Sequence, residues 1–222
     1  ILQLLTLSTN LSEMKKRIVL PLFLTVFAFV MIAKAQDETG EKPKWNHYFE
    51  TDFYFEDDFY GLPIYRADRN HLHLEARYNY EDFQTFSVWG GYNFFGGDKL
   101  EYAFTPMAGL AFGNTNGFVT GAEMTFTLGS FELYNESEYL AGFESKEDNF
   151  FYAWTDFTYS PTDWLWFGLS SQITKEYQSD AEFRTGLMLG GGYKNFELSG
   201  YYFEGWSGPA FLMFALSFSF PG

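Results

Sequence analysis

The segment Ala210-Phe-Leu-Met-Phe-Ala-Leu-Ser-Phe-Ser-Phe220 carries the clearest structural signal in the chain. Its even-numbered positions are all apolar, whereas the odd-numbered positions mix apolar residues with Ser217 and Ser219. Because side chains alternate between the two faces of a β-strand, a strand here has one wholly apolar face and one mixed face. The same period of two recurs from about residue 70 onward, which predicts an all-β protein.

The composition excludes several other classes of protein. The 222 residues include 28 Phe, 16 Tyr and 6 Trp, yet the mean hydropathy is only −0.20, so apolar residues must alternate with polar ones. This disfavours a helical bundle and a disordered chain. The formal net charge of −15 argues against nucleic acid as a partner, because phosphate binding needs a basic face. The absence of cysteine excludes a disulfide scaffold and a cysteine-based metal or redox site.

The N-terminal region has the pattern of a secretory signal peptide over residues 14–35. Three basic residues at 15–17 precede an apolar run, and Ala33-Lys34-Ala35 forms a small-x-small cleavage site. A proline interrupts the apolar run, which disfavours a retained membrane helix. We expect cleavage before Gln36, and we expect residues 1–13 to be an upstream extension that is not native to the protein. Cleavage would remove four basic residues and one acid, leaving a still more acidic mature chain.

Alternating segments separated by Gly, Asn, Asp, Ser and Pro predict ten strands. A tilted strand needs about 9–11 residues to cross a bilayer, and each predicted segment is long enough. The predicted strands lie near residues 70–80, 85–95, 100–112, 117–128, 131–143, 150–160, 164–175, 183–193, 195–205 and 209–220.

The two faces of these strands differ in a way that separates a membrane barrel from a soluble sandwich. In the second strand, Phe86, Val88 and Phe94 share one face, opposite Ser87 and Asn93. An exposed face in a soluble sandwich would be rich in Lys and Thr, whereas the charges here are mostly Glu. An apolar outside around a polar interior leaves no backbone unpaired in lipid if the sheet closes. The sequence therefore predicts a transmembrane antiparallel up-and-down β-barrel of about ten strands, with twelve as the alternative.

The predicted turns alternate between short and long. Leu128-Gly-Ser130 and Tyr193-Lys-Asn195 are tight, whereas residues 144–149 and 175–181 form longer, charged connections. If the short turns are periplasmic, the last strand runs inward and ends at Phe220.

This pattern resembles bacterial outer-membrane β-barrel proteins. The last strand of such proteins typically alternates apolar residues and ends in an aromatic residue that the assembly machinery reads. In this sequence Pro221 and Gly222 follow the aromatic residue, which departs from that pattern. The resemblance implies a location in the outer membrane of a bacterial cell, contact with outer-membrane lipid, and recognition by the barrel-assembly machinery.

The region between the signal peptide and residue 70 leaves two alternatives open. Residues 45–60 are rich in aromatic residues, like a strand, but single-chain barrels close with an even number of strands. We predict either that this segment pairs with an unrecognised strand within 61–69 or that it lies in the lumen as a plug. The predicted organisation is thus an N-terminal segment at 36–69 and a barrel at 70–222.

Alternation places a set of charged residues on the lumen side. These residues are His71, His73, Glu75, Arg77, Glu101, Glu123, Glu132, Glu136, Glu138, Asp156, Arg184 and Glu197. They predict an acidic lumen with two arginines. One interpretation is an internally paired network that fills the barrel. The other is a small-solute or cation-selective pore, because rings of acidic residues favour cations.

Catalytic chemistry finds little support in the sequence. A hydrolase would need Ser87, Ser170 or Ser171 within hydrogen-bond reach of a histidine such as His73, and no G-x-S-x-G motif is present. We expect no catalytic residues, no metal site and no cofactor. The predicted function is a non-catalytic outer-membrane barrel, structural or channel-forming, with small solutes or cations as partners. An outer-membrane hydrolase acting on lipid or peptide is the alternative.

Overall fold

The computed structural model describes residues 44–55, 59–205 and 210–222. The predicted signal peptide and upstream extension lie outside the described residues. Within these ranges, no helix has the length and apolar character needed to span a membrane.

Nearly all described residues belong to β-strands. The strands are β1 (Asn46–Phe55), β2 (Phe59–Arg69), β3 (Leu72–Tyr78), β4 (Thr85–Tyr92), β5 (Phe94–Gly96), β6 (Leu100–Gly113), β7 (Gly117–Leu128), β8 (Phe131–Gly142), β9 (Phe150–Thr162), β10 (Leu165–Glu176), β11 (Glu182–Tyr193), β12 (Phe196–Gly205) and β13 (Phe211–Pro221). A single 3-10 turn (Lys146–Asp148) lies in the described connection between β8 and β9.

The sheet closes on itself. Neighbouring strands pair antiparallel in chain order, β4 pairs with β6, and β1 pairs with both β2 and β13. The short strand β5 follows β4 after Asn93. Both strands pair with β6 in one continuous register, so β5 extends β4 along β6. The described residues thus form a wall of twelve strands with β5 as an added short strand. The predicted transmembrane up-and-down barrel is confirmed, the count of ten is wrong, and the alternative of twelve is correct.

The two strands beyond the predicted ten come from residues 45–69, as one of the two alternatives for this segment predicts. β1 pairs with β13 through positions such as Phe53 and Phe214, and with β2 through Thr51 and Pro63. The segment is therefore part of the wall and not a plug, and the barrel starts at Asn46 and not at residue 70. A proline inside β2 obscured the strand signal, since proline normally marks strand ends or edges.

Burial in this barrel is the reverse of that in a soluble protein. Outward residues such as Leu187 and Leu189 are 62% and 61% exposed, whereas the inward Glu138 is 2% exposed. An apolar outer surface around a polar interior is stable in lipid, where tails cover the outside and the closed sheet satisfies the backbone.

The two ends of the barrel differ in their connections. We call the end that holds Asn46 and Pro221 the terminal end, and the opposite end the loop end. Turns at the terminal end are short, and Asn70, Gly129 and Lys194 adopt positive φ angles of 53°, 61° and 58° there. Longer connections, such as residues 79–84 and 143–149, lie at the loop end. The tight turns named from the sequence lie at the terminal end and the longer connections at the loop end, where the three-residue connection 114–116 is also short.

Candidate functional site in the barrel lumen

An arginine on β3 organises the interior. Arg77 is 1% exposed. Its Nε donates to Glu75 Oε1 at 2.7 Å, and its Nη1 lies 2.6 Å from Glu136 Oε1 and 2.9 Å from Glu138 Oε2. Because Glu136 and Glu138 belong to β8, these bonds cross the lumen between strands that are not neighbours.

A second arginine, on β2, extends the same network. Arg66 Nη2 lies 3.2 Å from Glu123 Oε1, and Arg66 Nε lies 3.4 Å from Glu75 Oε1. Longer ion pairs of 3.8 Å join it to Glu50 and Glu136. Together Arg66, Arg77 and the carboxylates of Glu75, Glu123, Glu136 and Glu138 form what we call the ion-pair bridge.

His73 contacts two carboxylates, one of which belongs to this bridge. Its Nδ1 lies 2.9 Å from Asp68 Oδ1, and its Nε2 lies 3.2 Å from Glu75 Oε2. The candidate serines also turn to carboxylates: Ser170 donates to Asp156 and Ser87 donates to Glu81. Ser171 lies on the opposite face of β10 from Ser170. The hydroxyls of Ser87 and Ser170 and the imidazole of His73 therefore contact different carboxylates.

The bridge divides the lumen. Between β3 and β8 the wall consists of β4, β6 and β7, and their inward side chains pack into a buried apolar cluster. That cluster contains Trp89, Met107, Ala111, Val119 and Leu140. The lumen behind the bridge is therefore filled, and open space remains on the side of β9 to β13 and β1.

Two cavities occupy this open side. The terminal-end cavity has a volume of about 400 Å³ and the loop-end cavity about 290 Å³. Tyr54, Tyr80 and Tyr152 line both cavities, so these three tyrosines lie between them. The rings of Tyr80 and Tyr152 meet edge to face, with centroids 5.9 Å apart.

The terminal-end cavity is strongly acidic. Among the described residues, its lining includes seven carboxylates and one cationic side chain, that of Arg66. The carboxylates are those of Glu50, Asp52, Glu123, Glu132, Glu136, Asp156 and Glu197. Asp52 is 8% exposed, and its Oδ1 has no hydrogen-bond partner within the described ranges. Asp156, by contrast, accepts from Ser170 and from Tyr201.

The loop-end cavity combines Glu81, Glu176 and Glu182 with Arg184. Glu81 belongs to the connection between β3 and β4 and accepts a hydrogen bond from Trp89 Nε1 at 3.2 Å. Burial is the main cause that raises the pKa of the Glu81 carboxyl above its ordinary value.

Most of the residues assigned to the lumen by alternation lie there. His73, Glu75, Arg77, Glu123, Glu136 and Glu138 meet in or against the bridge, Glu132, Asp156 and Glu197 line the terminal-end cavity, and Arg184 lines the loop-end cavity. The histidine and carboxylate groups in the described part of the chain include no cluster of three or more that could hold a metal ion.

Two assignments differ in the structure. Glu101 is exposed in the first residues of β6, beyond the packed interior and outside both cavities. His71 precedes β3 and stacks on Tyr92 and Phe95 at centroid distances of 5.0 and 5.1 Å. The alternation of side chains along a strand predicts which face of the strand a residue lies on. It does not predict where along the barrel the packed interior ends.

Several interior residues were missed by sequence reasoning. Glu50, Asp52, Tyr54 and Arg66 belong to β1 and β2, the segment for which a strand pair and a plug were both left open, so no lumen side was assigned to them. Their spacing of two, at 50, 52 and 54, is the signal that would have placed them on one face.

Comparisons with known proteins support the fold. No family model and no curated protein matches the sequence. Among solved structures, the KdgM porin is similar with a TM-score of 0.61 at 11% identity, over 78% of this chain and 99% of that one. The KdgM porin in complex with disordered oligogalacturonate gives a TM-score of 0.62 at 11% identity, with the same coverage. Pseudomonas aeruginosa OpdQ aligns at a TM-score of 0.44 and 9% identity, over 77% of this chain and 59% of its own. The chain has the closed-barrel fold of bacterial outer-membrane porins.

Proposed function

We propose that this protein is a non-catalytic outer-membrane channel that passes small solutes along the open side of its lumen and prefers cations. The observation that carries the proposal is the acidic terminal-end cavity, which shares three lining tyrosines with the loop-end cavity. Carboxylates that line a narrow passage concentrate cations and repel anions.

The ion-pair bridge supports a rigid passage. Its two arginines contact four carboxylates and link strands that are not neighbours, which leaves a formal excess of two negative charges in the bridge. Other carboxylates, such as Glu132 and Glu197, are exposed within the lumen and add to the negative field.

An acidic lumen opposes a polyanion. The oligogalacturonate in the KdgM complex carries carboxylate groups, and like charges repel in a narrow, poorly screened space. We therefore do not carry that solute over to this chain, and we expect small neutral or cationic solutes.

The test is conductance of the refolded protein in a planar bilayer under a KCl gradient. We expect a small conductance with a reversal potential on the cation-selective side. Changing Glu132 and Glu197 together to Gln should shift the reversal potential toward zero, because both carboxylates line the cavity and neither belongs to the bridge. Glu101→Gln is the matched control, since Glu101 is exposed outside both cavities.

Two results would each contradict a different part of the proposal. A protein that folds but gives no conductance is not a channel. A conductance that selects anions, or a reversal potential that Glu101→Gln shifts as much as the double variant does, would reject the acidic cavity as the source of selectivity.

A further inference from the structure

Asp52 is a buried carboxylate on the wall of the terminal-end cavity. It lines the terminal-end cavity, is 8% exposed, and its Oδ1 makes no hydrogen bond to any described residue. The nearby guanidinium of Arg66 is held by ion pairs to Glu50, Glu75, Glu123 and Glu136. A buried carboxylate of this kind is costly unless something with a positive charge or a proton to donate approaches it.

The wall beside Asp52 forms a recess. Strand register places Asp52 opposite Ala215, Ala215 opposite Ser199, Ser199 opposite Gly190, and Gly190 opposite Trp166. These positions share the inward face, so a row of three small side chains separates the carboxylate from the indole. Small residues in one row of a barrel wall leave room in the lumen.

The indole of Trp166 lies over the far end of this row. Its Nε1 donates to Ser199 Oγ at 3.1 Å. A Cβ at Gly190 would lie only 2.1 Å from that Nε1, so glycine is required for the ring to take this position. The recess is therefore bounded by a carboxylate at one end and an aromatic ring at the other.

More aromatic rings surround the same space. Tyr54 follows Asp52 by two positions on the same face of β1, and Tyr201 and Trp154 meet edge to face at a centroid distance of 5.2 Å. All three line the terminal-end cavity. Aromatic faces attract organic cations, and the attraction grows when water is excluded.

We propose that this recess is a binding site for a small organic cation of the alkylammonium class. The ammonium group lies against the Asp52 carboxylate, and the alkyl part lies along Ala215 toward the Trp166 ring. An inorganic divalent cation would need several oxygen ligands around it, whereas the described carboxylates and histidines include no group of three or more placed to hold a metal ion. The inference rests on the proposed channel function, because it names the solute class that the same lumen accepts.

The test is calorimetric titration of n-butylammonium chloride into the detergent-folded full chain. We expect saturable binding, with no binding of 1-butanol or sodium butyrate at the same concentrations. Asp52→Asn should weaken butylammonium binding by about tenfold or more, because it removes the charge from the contact. Asp52→Glu should retain binding, and Asp98→Asn is the control, since Asp98 is exposed in the turn between β5 and β6.

The readouts separate this site from the channel. Heat-dependent gel mobility shows which variants fold, and bilayer conductance in KCl is measured on the same preparations.

Saturable binding of butylammonium that Asp52→Asn weakens supports the site, whether or not current is seen. No binding by a folded wild-type chain, equal binding of 1-butanol, or equal affinity in folded Asp52→Asn overturns it. If Asp52→Asn does not fold, the test uses Trp166→Leu. A folded Trp166→Leu variant overturns the proposed site if it binds butylammonium as tightly as wild type does. Absence of current with binding intact rejects only the channel.

Discussion

At the residue scale, Arg77 is the position on which the interior depends most. Its guanidinium is 1% exposed and faces three carboxylates, from Glu75, Glu136 and Glu138. Arg77→Met would leave these carboxylates without that cation, and breaking a buried ion pair costs about 3–5 kcal/mol. We expect the free energy of unfolding in urea, measured on the protein in detergent micelles, to fall by this amount.

Lys146→Met is the matched control for Arg77. Lys146 lies in an exposed 3-10 turn between β8 and β9, so its loss should change the free energy of unfolding by less than about 0.5 kcal/mol. Equal unfolding midpoints for Arg77→Met and wild type would show that the bridge does not stabilise the barrel.

Glu81 predicts a pH dependence of stability. Burial raises the pKa of its carboxyl in the folded chain above the ordinary value of 4.5, so the folded state binds the proton more tightly than the unfolded state. The protonated Glu81 carboxyl therefore makes its full contribution to the free energy of unfolding below pH 4.5, and this contribution is lost as pH rises through the raised pKa. Glu81→Gln is neutral throughout. We expect the variant to gain stability relative to wild type between about pH 4.5 and the raised pKa, measured by urea unfolding at a series of pH values.

The comparison for Glu81 is an exposed glutamate, Glu147, in the 3-10 turn. Glu147→Gln should follow the wild-type pH curve. If Glu81→Gln also follows it, burial of the Glu81 carboxyl does not affect folding.

At the element scale, β1 joins the two ends of the sheet. It pairs along its length with β2 on one side and β13 on the other. Deleting Asn46–Phe55 leaves an odd number of wall strands and two open edges, which lipid cannot satisfy. We expect this deletion to abolish the heat-modifiable folded form on a gel. Replacing Lys146–Asp148 by Gly-Ser-Gly should preserve it, and a folded β1 deletion would show that the wall does not need this strand.

The elements also show what sequence could and could not predict. Strands such as β13 alternate apolar outward residues with small or polar inward ones, so their faces follow from sequence alone. β1 and β2 add Asp52 and Arg66 to the lumen, but Pro63 lies inside β2 and weakens its strand signal. Sequence periodicity left a strand pair and a plug as alternatives for this segment, and the pairing of β1 with β13 decides between them.

At the scale of the whole molecule, the barrel and the signal peptide predicted from the sequence together predict where the protein is found. We expect the mature chain, cleaved before Gln36, to fractionate with the bacterial outer membrane and to require detergent for extraction, because its exposed outer residues are apolar. Cell fractionation and N-terminal sequencing check this expectation. Recovery in the soluble periplasmic fraction would contradict the membrane location.

The ion-pair bridge separates a packed part of the lumen from a part that holds the two cavities, and this gives the two halves of the wall different freedom to change. Strands β4, β6 and β7 face a packed interior, so substitutions on their inward sides are limited by volume. Strands β10 to β13 line the terminal-end cavity through inward residues such as Ser199 and Ala215. Inward side chains on this flank can therefore be exchanged for others of different size at a smaller cost in packing than those on the opposite flank.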